Sequence, residues 1–258
     1  MEKQSGEIPI VLRKKSGIFP AMRSVLLLVV FSLAFCTLPL RAADPAPTAA
    51  SGEFIVITGG VSLWIWEKWK AAPHDNWWMN FVRASRIRIE QIQQEVPGAQ
   101  ITWLVYRPAY IARAKQDGNE LLSHIESVRD AFHVKLVFFD KTSQLIDYLN
   151  YGQPRDRVKI ASVEYFGHSN KACFLFDYSN NIDSASKVWL HENELTQIHR
   201  GIFSRDAYAK SWSCHTGESM SQKFRSATGV AMIGAIGKTQ YMTDELPILS
   251  SPGGHWTR

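Results

Sequence analysis

The sequence predicts an α/β fold: a mostly parallel central sheet with helices on both faces. Short runs rich in β-branched and aromatic residues alternate along the chain with stretches at helical spacing. That pattern belongs to parallel strands joined by crossover helices. The strand runs are continuously apolar, as expected where both faces of a sheet are covered. With a leader of 42 residues set aside, 216 of the 258 residues remain, which suits one such domain.

The first 43 residues read as a signal peptide or an N-terminal anchor. Met22-Arg23 precedes an apolar run over Ser24–Cys36, and Arg41-Ala42-Ala43 supplies a small-residue exit. Cleavage is expected after Ala42 or Ala43, and Met22 is a candidate start. The apolar run is short for a membrane-spanning helix, which needs about 20 residues. Phe35 stands before Cys36 where lipid attachment wants a small residue. Residues 44–52, rich in Pro, Ala and Ser, read as a tether, and residues 53–258 as the folded domain.

Phe54–Thr58, ended by Gly59-Gly60, is the first expected strand. After the Trp-rich Val61–Trp69, the run Pro73-His74-Asp75-Asn76 breaks the pattern, and Asn76 is expected to cap a helix reaching about Glu95. Phe81, Ala84, Ile87 and Ile92 would form its inward face. Gln100–Arg107 is the second strand, stopped by Pro108. Asn119 would cap a helix over Leu121–Phe132, with Leu122, Ile125, Val128 and Phe132 at helical spacing. Val134–Phe139 is the third strand and Thr142–Tyr151 a short helix. Val158–Gly167 is a strand running directly into His168. Ala172–Tyr178 reads as a hairpin arm, Asn180–Ser186 as a polar loop and Trp189–Arg200 as a helix. Ala207–Ser213 is a strand leading to Cys214, Glu218–Ala227 a helix and Val230–Ile236 a final buried strand. Lys238–Arg258 is mostly loop.

Charge excludes little but redirects attention. The leader carries six of the 29 basic residues and two of the 24 acidic ones, leaving 23 against 22. A nearly neutral domain without a dense Lys/Arg run gives no footprint for nucleic acid. Two cysteines remain, Cys173 and Cys214. In an exported protein they could form a disulfide, and Cys173 alone reads as a small buried apolar residue. Cys214, His215 and His168 could converge on a metal, but no compact zinc-type ligand motif supports this. His191 and His199 read as surface residues of a helix. The tryptophans at 64, 66, 69, 77 and 78 suit either packing against a sheet or a binding patch.

The chemistry-bearing pattern is a pair of strand ends. One strand ends in Gly167-His168-Ser169 and another in Ser213-Cys214-His215-Thr216-Gly217, with 46 positions from the histidine to the cysteine. If these strands are parallel neighbours, thiol and imidazole emerge at one sheet edge, where open α/β sheets bind ligands. A thiol beside an imidazole is the minimum equipment for covalent acyl transfer. The helix expected after Cys214 would place its N–H groups near the sulfur.

Over residues 158–237 this pattern resembles the caspase-like (clan CD) cysteine peptidases, a family with a caspase-like three-layer sandwich. The resemblance implies that Cys214 is the nucleophile and His168 the general base and acid. It also implies that the backbone N–H groups of Ser169 and Cys214 form an oxyanion hole. Many members carry glycine where Ser169 stands here. The implied function is an exported cysteine endopeptidase, periplasmic or extracellular, or membrane-anchored if the leader stays. It would act on a peptide or protein substrate and need no cofactor or metal. It would engage no nucleic acid and no membrane beyond the leader, and a homodimer is possible. The alternative is a catalytically inactive binding or scaffold module of the cell envelope. Asp177, Glu164, Asp244 and Glu245 are candidates for an acidic substrate pocket, with none assigned.

Overall fold

The structure, a computed structural model, describes residues 52–68, 75–177 and 187–257. The expected leader, the tether up to residue 51, Trp69, Pro73-His74 and the loop at Asn180–Ser186 lie outside the described residues.

Along the chain the elements are β1 (Glu53–Thr58), α1 (Trp64–Glu67), α2 (Asn80–Glu95), β2 (Gln100–Tyr106), α3 (Arg107–Asp117), α4 (Leu121–Phe132), β3 (Lys135–Phe139), α5 (Thr142–Tyr151) and β4 (Ile160–Phe166). Three short strands follow, β5 (His168–Ser169), β6 (Cys173–Leu175) and β7 (Trp189–His191). Then come β8 (Phe203–Ser211), α6 (Met220–Thr228), β9 (Ala231–Ile233), β10 (Ala235–Ile236), β11 (Thr239–Gln240), β12 (Ile248–Leu249) and β13 (His255–Trp256).

Six strands form one sheet in the order β3-β2-β1-β4-β8-β9, and every pairing in it is parallel. The chain runs outward from β1 to β3, returns to lay β4 beside β1, and runs outward the other way. The reversal between β1 and β4 makes a topological switch point, and the crevice beyond the carboxyl ends of the strands there is the usual ligand site of such sheets.

Alternation along β1 shows how both faces are covered. Ile55 and Ile57 pack with Leu145, Leu149 and Phe224, from α5 and α6. Phe54 and Val56 pack with Phe81, Ile89, Ile125 and Val128, from α2 and α4. The expected inward face of α2 is buried at Phe81, Ala84, Ile87 and Ile92.

Several sequence expectations need correction. Asn76 does not cap α2, which begins at Asn80 after Met79 without a side-chain cap. The Asn76 carbonyl instead accepts a bond from Arg113. β2 does stop before Pro108, at Tyr106, but the chain continues directly into a helix not expected from the sequence, α3, with Pro108 in its first turn, where its missing N–H costs nothing. The Asn119 side chain bonds the Glu120 N–H, but the residue flanking α4 is Glu120. Trp189–Arg200 is not an α-helix. It is β7, paired with β6, followed by 3₁₀ turns at Glu192–Gln197 and Arg200–Ile202. The buried Leu195, Ile198 and Ile202 mimic helical spacing, while the Glu194 carboxylate returning to the His191 N–H tightens the first turn. Val230–Ile236 is not one strand, because the chain leaves the sheet at Gly234.

At the amino edge of the sheet a carboxylate is fully buried. Glu53 accepts Arg155 Nη1 at 2.6 Å, Thr102 Oγ1 at 2.5 Å and the Tyr148 hydroxyl at 2.7 Å. Arg155 is itself buried and donates to the Leu149 carbonyl.

Candidate active site

The register of two neighbouring strands brings the expected pair together. In the β4–β8 ladder Tyr165 lies opposite Ser211. His168 and Cys214 each stand three positions beyond that pair. The Trp212 N–H still bonds the Tyr165 carbonyl at 2.9 Å, so the strands remain side by side to their ends. His168, Ser169, Cys214 and His215 all line one cleft of about 720 Å³ at the carboxyl edge. Its opposite walls are Asp75, Trp77 and Phe81 from the chain following β1, and Lys238 to Tyr241 around β11.

Gly167 is dictated by a close approach. A Cβ there would lie 2.3 Å from the Tyr165 hydroxyl. That hydroxyl bonds the His168 carbonyl at 2.8 Å and fixes the exit from β4. The Tyr241 hydroxyl accepts the Gly167 N–H at 2.9 Å. β5 then pairs antiparallel with β6. Because the Asn170 N–H bonds the Cys173 carbonyl, the alternation of an antiparallel ladder points the Ser169 N–H off the open edge of β5. The Ser169 hydroxyl donates to the Cys214 carbonyl, tying the two strand ends together. The Cys214 N–H makes no hydrogen bond among the described residues. Ser169 and Cys214 both line the cleft.

The His168 ring is held on two sides. Its Nε2 lies 2.8 Å from Asp75 Oδ2, and the Phe81 ring meets it edge-on at 4.9 Å between centroids. Asp75 is only 1% exposed. Its carboxylate also accepts the Ser62 N–H at 2.7 Å and the Asn80 amide at 3.1 Å. Burial pushes this carboxyl up, but the His168 bond and charge, with the two further donors, outweigh it and hold it below the ordinary carboxylate range. The folded pKa is depressed, so the stability it adds is present above the ordinary range and is lost as pH falls below it.

Cys214 is half-buried. Its sulfur accepts the Thr239 N–H at 3.4 Å and lies 3.7 Å from the Thr239 carbonyl and hydroxyl. α6 begins only at Met220, so the amide beside the sulfur comes from β11 and not from the helix expected to supply it. Between them His215 adopts a left-handed φ of 61°, held by its N–H on the Gly237 carbonyl at 2.7 Å and by its ring on Glu218. A non-glycine residue in that region stores strain that its surroundings must hold, a recurring feature of functional sites.

Behind this loop Gly217 and Gly234 touch backbone to backbone. A Cβ on Gly234 would lie 2.5 Å from Ser221 Oγ and 2.6 Å from the Gly217 nitrogen. Gly234→Ala is expected to destabilise the fold by about 1–3 kcal/mol, the usual cost of overpacking, and to displace the Cys214 loop. Thermal melting and the rate of Cys214 alkylation measure the two effects.

Cys173 and Cys214 are both free thiols. Cys173 is buried on β6, and burial, with Glu192 and Glu194 nearby, pushes its thiol up. Among the described residues no cluster of three His, Cys, Asp or Glu side chains is placed to hold a metal. None of the four acidic pocket candidates lines the cleft. Glu164 is buried against Arg88, Tyr208 and Trp212, and Asp177 accepts the Tyr106 hydroxyl. Asp244 and Glu245 are exposed elsewhere.

Sequence reading passed over Asp75, Thr239 and Tyr241. Asp75 stood in a segment read only as a pattern break. Its position in the connection leaving the carboxyl end of β1 was the available signal, once β1 is recognised as the strand at the reversal of the sheet. Comparison with protein-family models, with curated proteins and with solved structures returns no match.

Proposed function

We propose that the chain is a cysteine endopeptidase of the caspase-like kind, with Cys214 as nucleophile and His168 as general base and acid. The observation that carries this reading is the β4–β8 register, which delivers thiol and imidazole to one cleft at the switch point of the sheet. The Cys214 proton passes to His168 as sulfur bonds the peptide carbonyl carbon. The Ser169 and Cys214 amides receive the developing oxyanion. The C–N bond breaks as His168 protonates the leaving amine. Water then attacks the thioester carbonyl, giving its proton to His168, and the acid product leaves as the thiol is restored. With residues 1–43 acting as a leader, the enzyme works outside the cytoplasm.

The cleft lining favours acidic or neutral over basic substrate residues. Among the described lining residues Asp75 is the only carboxylate, buried and bonded to His168, and Lys238 is the only lysine. Peptides with Asp or Glu beside the cleaved bond are expected to turn over at least about tenfold faster than Arg or Lys peptides, and Lys238→Glu to narrow or reverse that ratio.

A panel of fluorogenic peptides varied at the residue before the cleaved bond tests the proposal. Turnover that disappears in His168→Ala supports it. A folded wild-type protein that binds peptides without cleaving any of them sinks it and leaves a binding module.

A further inference from the structure

We propose that Asp75 is a positioning residue for His168. It fixes the ring so that Nε2–H donates to the carboxylate and Nδ1 exchanges the proton with Cys214. This rests on the reading of Cys214 and His168 as nucleophile and base.

The carboxylate is poorly explained as a purely structural group. It is buried, yet among the described residues no lysine or arginine bonds it. Among the described residues its countercharge is the His168 imidazolium at 2.8 Å. A buried carboxylate is costly without an opposite charge. An ionised Asp75 therefore stands where positive charge develops when His168 takes the thiol proton. The proton from sulfur goes to Nδ1, Nε2–H stays bonded to Asp75, and the carboxylate remains unprotonated throughout.

The surroundings are built to aim this group. Arg113 on α3 is buried and spends its guanidinium on loop carbonyls, reaching Ser62 at 2.8 Å, Asp75 at 3.4 Å and Asn76 at 2.5 Å. Asp117 holds Arg113 in turn, one helical turn further on, at 2.9 Å. The clamp fastens the segment that carries Asp75 to a rigid helix. Asn80 at the start of α2 takes the second carboxylate oxygen, and Phe81 beside it blocks rotation of the imidazole.

The other titratable groups facing this pair do not replace Asp75. Glu67 on α1 accepts the Asp75 N–H at 3.1 Å. Tyr110 on α3 and Tyr241 beyond β11 are pushed well above the ordinary phenol range, chiefly by burial, with the Asp75 charge adding to it. Both stay neutral.

The test needs no known substrate. Alkylation of Cys214 by iodoacetamide is followed from pH 4 to 9 by mass spectrometry of its peptide, using the full chain. Asp75→Asn keeps the shape and removes the charge. It is expected to shift the midpoint of the profile up by about one pH unit, a roughly tenfold loss of alkylation rate on the acid limb. Asp75→Glu is expected to recover part of that loss, which a merely structural role would not produce. Superimposable wild-type and Asp75→Asn profiles overturn the proposal. Should Asp75→Asn fail to fold, ¹⁵N-histidine spectra of the wild type decide: a neutral His168 protonated at Nε2 supports the proposal, and one protonated at Nδ1 overturns it. The two readings fail separately. Peptide turnover without an Asp75 effect on alkylation rejects the positioning role alone. An Asp75 effect without any peptide turnover rejects the peptidase reading alone.

Discussion

Cys214→Ala is expected to lower peptide turnover by about 10⁴-fold or more, and to abolish labelling by a thiol-directed acylating probe, without unfolding the protein. Removing a nucleophile ends the covalent route, and only the residual effect of binding and oxyanion contacts survives. The substitution is mild for the fold. The sulfur is half-exposed, its bonds are weak ones to Thr239, and the loop is held instead by His215 on Gly237 and Gly217 on Ala235. The melting temperature should therefore move by no more than about 4 °C, since a change below about 1 kcal/mol moves a domain of this size that little. His168→Ala should cost about 10²–10⁴-fold, the usual worth of general acid–base catalysis. Equal labelling of wild type and Cys214→Ala would remove the nucleophile assignment.

Arg155→Met is expected to cause the largest loss of stability, about 3–5 kcal/mol, with catalytic parameters of the folded fraction unchanged. Arg155 is the only cation bonded to the fully buried Glu53 among the described residues, and its removal leaves that charge paired only with hydroxyls. Breaking one partner of a buried pair costs that much because the remaining charge has lost its solvent and its countercharge together. For a domain of this size the melting temperature should fall by about 10 °C. Arg155 also supports α5 through the carbonyls of Leu149 and Tyr148, so part of the loss is lost hydrogen bonding. A double substitution of Arg155 and Glu53 by apolar residues should recover much of the deficit. A melting temperature unchanged in Arg155→Met would mean that the buried charge is neutralised in another way. Because the pair lies at the amino edge and Cys214 at the carboxyl edge, this variant separates stability from chemistry.

The sequence by itself determined the alternation of strands and helices, the near-exact extent of α4, β3 and α5, and the two strand ends that carry His168 and Cys214. These were legible because each depends on local pattern. Apolar runs mark buried strands, spacing marks helix faces, and Gly167 and the residues after Ser213 mark exits. Where local pattern misled, a tertiary contact had overridden it: the pairing of β7 with β6 drew Trp189–His191 into a strand, and the contact between Gly217 and Gly234 broke the last apolar run in two. Only the tertiary structure decided that β4 and β8 are neighbours, that Thr239 rather than a helix faces the sulfur, and that Asp75 meets His168 across 93 intervening steps of chain. The physical reason is that a catalytic constellation is assembled from loops at the ends of different strands. Its distances are fixed by sheet order and register, which no single stretch of sequence contains.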